Sequence, residues 1–270
     1  MAKYQFGFIG TGNMGGALAS AVCRRAAPEQ VILANRTPAK AEDLASRLGC
    51  AFTVDNATVA QNSRFLFLGV KPQMMADMLK QIAPLLKKRA DRFVLVSMAA
   101  GLACRQIQKM AGGPYPVIRI MPNTPVAVGQ GLILVTAGAG VTADEVADLS
   151  DALSAGGTLD RIPEELMDAA CAISGCGPAF VYQFIEAMAD GGVACGLPRD
   201  KAQLYAAQTL MGAAGLVLSS GRHPAALKDA VCSPGGSTIA GVRALEKGGL
   251  RAAVMDGVCA AFDRTRELGS

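Results

Sequence analysis

The sequence predicts an α/β fold, with an N-terminal doubly wound parallel sheet followed by an all-helical C-terminal domain. Three observations predict it. The apolar run Tyr4–Ile9 leads into Gly10-Thr11-Gly12-Asn13-Met14-Gly15, a G-x-G-x-x-G turn, and then into an alanine-rich helical stretch from Gly16 to Ala27. Continuous apolar runs at Phe65–Val70 and Phe93–Val96, and a further strand at Val117–Ile120, alternate with helical stretches, as strands buried on both faces of a parallel sheet do. Past Pro163 the strand pattern stops, and 164–267 keeps a helical period broken at Gly175–Pro178, Gly196–Pro198, Gly221–Pro224 and Pro234–Gly236.

The glycine turn has a mechanism in this strand–turn–helix setting. Gly10 makes the tight turn, Gly12 lets a pyrophosphate approach the backbone, and Gly15 lets helix and strand pack closely. The helix start adds free N–H groups and the positive end of its dipole. By itself the pattern is weak, and an ordinary Gly-rich turn is the alternative. The next strand, Val31–Ala34, ends at Asn35-Arg36-Thr37, where an NAD site wants an acid for the ribose hydroxyls. No acid is there. Arg36 suits a 2′-phosphate bidentately, with Asn35 and Thr37 as hydrogen-bond partners, so the pattern favours NADP over a plain exposed turn.

Thr37-Pro38 starts a helix that continues through Leu48, with Thr37 as the cap and Pro38 at the first helical position. Ala51–Val54 reads as a short strand. Asn56 follows it, placed either to reach ribose and phosphate or to cap the next helix, with capping the simpler role. The later strands end in Gly69-Val70-Lys71-Pro72, Ser97-Met98-Ala99-Ala100-Gly101 and Met121-Pro122-Asn123-Thr124-Pro125, at the edge where open α/β sheets bind ligands. Leu132–Thr136 and Thr158–Ile162 are further strand candidates, with a helix at Thr142–Leu153 between them. These elements divide the chain into a dinucleotide-binding domain at 1–162 and a helical domain at 163–270.

The helices of the second domain are rich in Ala and Gly, and two stretches, Ala206–Leu218 and Ala252–Phe262, are apolar over wide faces. A domain of about a hundred residues has limited capacity to bury such faces alone, so self-association through it is expected. Its most distinctive stretch is Ser233-Pro234-Gly235-Gly236-Ser237-Thr238-Ile239. Ser-Pro-Gly-Gly breaks one helix, and Ser237-Thr238 opens the next. Glycine amides, two hydroxyls and a helix N-terminus in one place suit a carboxylate. An ordinary N-cap by Ser237 is the alternative.

Composition narrows the function classes. Apolar residues make up 51% of the chain, a packed rather than a disordered composition. The net charge is +4 with Lys and Arg scattered; Lys87-Lys88-Arg89 reads as a solvated helix end, so no nucleic-acid partner is expected. No apolar run reaches the ~18 residues of a membrane span, and Lys3 passes directly into the first strand with no leader, which points to a cytoplasmic protein. The cysteines Cys23, Cys50, Cys104, Cys171, Cys176, Cys195, Cys232 and Cys259 contain no C-x-x-C, and His223 is the single histidine, so no metal site is expected.

The chain resembles the pyrroline-5-carboxylate reductases over essentially its whole length. The residues that carry the resemblance are Phe8–Met14, Val70-Lys71-Pro72, Ala99-Ala100-Gly101, Met121–Pro125, Ser174–Ala179, Gly196–Arg199, His223-Pro224, Leu227-Lys228-Asp229 and, most specifically, Ser233–Ile239. The resemblance implies a Rossmann-type domain plus a helical dimerisation domain that interlocks with a second copy. It implies reduction of the cyclic imine pyrroline-5-carboxylate to L-proline, the last step of proline synthesis, with NADPH as donor and NADH as the alternative. It implies that Ile9, Gly10, Thr11, Gly12, Asn13, Met14, Gly15, Asn35, Arg36, Thr37, Asn56, Gly69, Val70, Lys71, Pro72, Met98, Ala99 and Ala100 face the dinucleotide. Ser233, Gly235, Gly236, Ser237 and Thr238 would hold the substrate, with Thr238 bonding the imine nitrogen.

Two positions depart from the family pattern. Cys176 stands where the family usually has a serine, and its thiol is a weaker donor than a hydroxyl. Ala230 follows Asp229 where some members carry an asparagine that touches the cofactor across the subunit interface.

The residues give a mechanism of the same kind. Gly235, Gly236 and Ser237 N–H groups are expected to bind the substrate carboxylate, and the Thr238 hydroxyl to donate to the imine nitrogen. Among rival acids, His223 reads as a cap or surface residue and Lys71 as a cofactor contact. Lys228 and Asp229 are adjacent on a helix and are not expected to face each other. Two other readings remain open on sequence: another NADP-dependent two-domain oxidoreductase, such as a β-hydroxyacid dehydrogenase or a general imine reductase, and a non-catalytic NADP-binding regulator.

Overall fold

The computed structural model describes residues 2–269. Its chain forms two compact units, one running to Cys176 and including the segment from Ala261, the other Gly177–Ala260.

The first unit is built on an eight-stranded sheet. The strands are β1 (Tyr4–Ile9), β2 (Val31–Ala34), β3 (Ala51–Thr53), β4 (Ser63–Leu68), β5 (Val94–Ser97), β6 (Val117–Pro122), β7 (Gly131–Ala137) and β8 (Gly157–Arg161), in the spatial order β3-β2-β1-β4-β5-β6-β7-β8. All neighbours pair parallel except β6 and β7. The exception follows from the connection. Only a short 3-10 turn, Thr124–Val128, separates the two strands, whereas a parallel crossover needs about a dozen residues or more. The doubly wound parallel sheet therefore carries one antiparallel pair at that point.

Alternation within the strands sends side chains to both faces. Phe8 and Phe67 stack with ring centroids 4.2 Å apart and pack with Leu18, Val22, Leu44 and Leu149 on one face. Leu66, Leu68 and Leu95 pack with Met75, Leu79, Ile82 and Ile107 on the other. Each fully buried side chain of this size contributes about 1.5–3 kcal/mol. The covering helices are α1 (Asn13–Cys23), α2 (Pro38–Leu48), α3 (Asn56–Asn62), α4 (Pro72–Leu86), α5 (Cys104–Ala111) and α6 (Ala143–Leu153).

α6 opens with a reciprocal cap. Thr142 Oγ1 accepts the Glu145 N–H at 3.2 Å, and Glu145 Oε2 accepts the Thr142 N–H at 2.9 Å. The same buried carboxylate accepts from Arg92 Nε at 2.7 Å and Nη2 at 2.9 Å. The Arg92 guanidinium is the main cause holding the Glu145 carboxyl below the usual carboxylate range, against the opposing effect of burial, and the Thr142 N–H adds to it. Glu145→Ala is expected to cost about 1–3 kcal/mol at neutral pH, measured by urea unfolding. Because the native carboxyl titrates low, this contribution is complete above the unfolded value of ~4.3 and is lost as pH falls through the depressed native value. A wild-type advantage unchanged at pH ~2 would contradict the assignment.

The first unit continues past Ile162, where sequence placed the domain edge. Helix α7 (Met167–Ser174) lies on it, with Met167 and Cys171 packed against Met121 and Leu134. Arg119 in β6 is buried and forms ion pairs with Asp168 at 2.7 Å and Glu164 at 3.9 Å. A buried guanidinium needs such partners, and they come from the segment just past Ile162.

The second unit is all helical, as expected. It holds α8 (Gly177–Ala194), α9 (Arg199–Ser220), α10 (Pro224–Ala230), α11 (Ser237–Lys247) and the start of α12 (Leu250–Gly269). α8 and α9 approach closely through Ala189, Ala202 and Ala206. A Cβ on Gly192 would lie only 3.2 Å from that of Ala202. Much else is exposed: Tyr182, Leu204, Tyr205, Met211, Leu216, Val254 and Met255 all face solvent in the single chain.

Candidate active site

Strand order reverses between β1 and β4: the chain proceeds outward through β2 and β3 on one side, then resumes beside β1 with β4. Such a switch point opens a crevice at the strand carboxyl ends. β1, β2, β4 and β5 are parallel, so the segments following them lie along one edge. The structure thus gathers there Ile9–Gly15, Asn35–Thr37, Gly69–Pro72 and Met98–Ala100.

The glycine loop is shaped by close backbone approach. Gly10 has φ +98°, and a Cβ there would run into the Gly69 carbonyl, just as one on Gly15 would run into the Gly10 carbonyl. Gly12 differs: a Cβ there would meet nothing within 4 Å. Gly12 is the N-cap of α1, with no side-chain cap and no acid in the first turn. The first bond of the helix runs from Gly16 N–H to Gly12 O at 2.8 Å, leaving the amides of Gly12, Asn13, Met14 and Gly15 without an acceptor among the described residues. Thr11 Oγ1 is buried and has no partner either. Four bare amides, an orphaned hydroxyl and open space at Gly12 fit a pyrophosphate.

At the end of β2, Asn35 Nδ2 donates to Thr37 O at 3.2 Å and so shapes the turn. Arg36 is exposed and makes no ion pair among the described residues. Asn56 is half-buried and is the first residue of α3. The cap is Asp55, whose carboxylate accepts from Ala57 N–H at 2.9 Å and Thr58 N–H at 3.1 Å. These amides, Ala57 first, hold the Asp55 carboxyl below its usual range. The capping role considered for Asn56 therefore belongs to its neighbour, because Asp55 holds the extended backbone position just before the helix (φ −111°, ψ 115°) while Asn56 is already helical. Lys71 is an exposed N-cap of α4 and makes no side-chain cap bond.

The second group of residues lies in the helical unit. α11 begins at Ser237, and its N-cap is Gly236, with no side-chain cap, so Ser237 is not the cap. Gly235 takes φ +69°, which favours glycine. The Gly236 N–H is already given to Ser233 O at 3.0 Å, so it is not free for a carboxylate as sequence suggested. The amides of Ser237, Thr238 and Ile239 have no acceptor among the described residues; the next, Ala240 N–H, bonds Gly236 O at 3.3 Å. The Thr238 hydroxyl is exposed and unpartnered among the described residues.

His223 caps α10: its Nδ1 accepts from Ala225 N–H at 3.2 Å. Lys228 and Asp229 do face each other, with Nζ 2.6 Å from Oδ1. The i,i+1 spacing points their Cβ atoms apart, but the long lysine stem reaches the neighbouring carboxylate at the exposed end of α10. Sequence reasoning also missed Arg119 and Asn123. Asn123 donates to Ser174 O at 3.0 Å and accepts from Leu132 N–H at 2.9 Å, pinning the end of β6 to α7 and β7. A charge inside Val117-Ile118-Arg119-Ile120 was the available signal that acids had to follow.

A sheet switch point with bare helix amides over a glycine loop fits a nicotinamide dinucleotide, so in class the molecule is a dinucleotide-dependent oxidoreductase with a helical second unit. Residues 5–101 match the family model described as NADP oxidoreductase, coenzyme F420-dependent, and residues 164–268 match the one described as pyrroline-5-carboxylate reductase dimerisation. The chain is 41% identical to a pyrroline-5-carboxylate reductase of Pisum sativum over 98% of this chain and 96% of the relative. It is 39% identical to that of Escherichia coli K12 over 98% of each. A crystal structure of the Plasmodium falciparum pyrroline carboxylate reductase with NADP bound matches with a TM-score of 0.89 at 32% identity, covering 100% of both chains. The chain belongs to the pyrroline-5-carboxylate reductase family.

Proposed function

We infer that this chain reduces the cyclic imine of pyrroline-5-carboxylate to L-proline with NADPH, completing proline biosynthesis. Two observations, each within its own unit, carry the reading: a dinucleotide-fitting glycine loop in the first, and a bare helix N-terminus at Ser237–Ile239, suited to a carboxylate, in the second. Family membership supports both halves.

The residues divide into two groups in this reading. Gly12–Gly15 amides and the Thr11 hydroxyl bind the pyrophosphate, and Arg36, with Asn35 and Thr37, binds the 2′-phosphate. Asn56, Gly69–Pro72 and Met98–Ala100 wall the rest of the dinucleotide. When bound, NADPH supplies the hydride. The amides of Ser237, Thr238 and Ile239 hold the substrate carboxylate, in place of the Gly236 amide. The Thr238 hydroxyl donates to the imine nitrogen and draws electron density from the carbon that accepts the hydride. A hydroxyl does not fully protonate an imine at neutral pH, so the proton arrives with the substrate or through water. Holding the reacting atoms in line supplies much of the rate.

NADPH oxidation on addition of pyrroline-5-carboxylate tests the activity. In the same assay Arg36→Asp is expected to lower kcat/KM for NADPH roughly 10- to 100-fold, with NADH favoured relative to wild type, as loss of charge-assisted hydrogen bonds predicts. An unchanged cofactor ratio would sink the 2′-phosphate role; absence of turnover with either cofactor would sink the activity.

The helical unit is proposed to self-associate. Its exposed Leu204, Met211, Leu216 and Met255 form the kind of apolar surface that a soluble chain covers. Light scattering at micromolar concentration is expected to give a multiple of the 27.7 kDa chain mass. A monomer would refute it. We place the protein in the cytoplasm, in keeping with eight free cysteines. No helix among the described residues is long and apolar enough to cross a membrane.

A further inference from the structure

The first unit contains a hollow of about 520 Å³ that the reaction above does not use. Its walls are the start of α5, the end of β7 with the turn after it, and the end of β8 with the segment just past it. Ala137, at the end of β7, pairs with Ile118 at the start of β6, and β6 runs parallel to β5. The hollow therefore sits toward the amino ends of the parallel strands, whereas the glycine loop sits at their carboxyl ends.

Arg105 and Arg161 both line the hollow, both are exposed, and neither has an ion-pair partner among the described residues. The single acid in the lining, Glu164, is already committed. Its Oε1 accepts the Cys104 N–H at 2.7 Å and lies 3.9 Å from Arg119 Nη1. Arg119 also holds Asp168, and its buried Nε has no partner. In the lining itself, two unpaired arginines thus stand with one carboxylate that is already engaged. The Ala139 amide in the wall has no backbone acceptor among the described residues. Cys104 contributes no negative charge, since burial pushes its thiol up to about 12, with Glu164 adding to the rise. Two unpaired guanidinium forks at a concave site favour a ligand with several oxygens per charge. The volume is in the usual small-ligand range of roughly 300–1,000 Å³.

We propose that this hollow is a second anion-binding site, taking a small multiply charged oxyanion between Arg105 and Arg161, separate from the dinucleotide edge. The anion is the phosphate of a phosphorylated metabolite or the paired carboxylates of a dicarboxylic one.

The test is calorimetric titration of the full chain, saturated with NADP to fill the other phosphate-binding edge. Inorganic phosphate and succinate are titrated in separate experiments. Wild type is expected to bind one equivalent of at least one probe at millimolar concentration or tighter, with the preferred probe identifying the anion class. The Arg105→Ala/Arg161→Ala double variant is expected to bind it at least about tenfold more weakly. Neither arginine is buried or paired, so the double variant should melt as wild type does. A lysine pair at the same positions should keep part of the affinity, separating charge loss from misfolding. Equal affinity in wild type and the alanine variant would place the anion elsewhere and overturn the proposal. So would no binding of either probe to the wild type.

Discussion

Gly12→Val is expected to weaken NADPH binding roughly 100-fold, about 2.7 kcal/mol, while leaving the fold in place. The backbone at Gly12, with φ −68° and ψ −166°, is open to any residue, and a Cβ meets nothing within 4 Å. What valine fills is the space above four unpaired amides, where a pyrophosphate would lie against the helix start. The folding cost is confined to a poorer N-cap, about 1 kcal/mol or less. Gly15→Val supplies the contrast, because its Cβ would collide with the Gly10 carbonyl inside the strand–helix contact. That variant should lose thermal stability first and cofactor only as a consequence. A fluorescence titration with NADPH and a melt on both variants separate the cases. If Gly12→Val binds NADPH within threefold of wild type, the loop is not the seat of the pyrophosphate.

That contrast shows where sequence was sufficient. G-x-G-x-x-G names three glycines, and the strand before it and the helix after it are legible from apolar runs and period. The same holds for the Phe65–Leu68 part of β4 and the Val94–Val96 part of β5, whose hydrophobic stretches leave no other buried home. It holds also for the helical unit, where the Gly/Pro breaks fall between helices or at a helix's first residues. What sequence hid depends on reach and register. The antiparallel β7 is fixed by the length of a turn. The extension of the first unit to Cys176 depends on Arg119 finding Asp168 across 49 positions of chain. The Asp55 cap, the Lys228–Asp229 pair and the engaged Gly236 amide each turn on which of two neighbouring groups is nearer, a choice that residue identity alone leaves open.

Thr238→Ala is expected to lower kcat roughly 10- to 1,000-fold, about 1.4–4 kcal/mol, with NADPH affinity unchanged. The structure makes this a clean substitution. α11 is capped by Gly236 without a side-chain bond, so the helix start does not depend on the Thr238 hydroxyl. That hydroxyl is exposed and unpartnered among the described residues, so its removal leaves no buried group unsatisfied, and the melting temperature should hold. The loss should appear in kcat rather than KM, because the carboxylate is held by backbone amides that alanine retains, whereas the bond to nitrogen strengthens as charge shifts in the transition state. Thr238→Ser keeps the donor and should restore most of the rate. Ser237→Ala keeps the amide and should change kcat little. A Thr238→Ala enzyme within twofold of wild type in kcat would leave the imine nitrogen without its assigned donor, and the acid would then have to be sought in water or in the substrate's own proton.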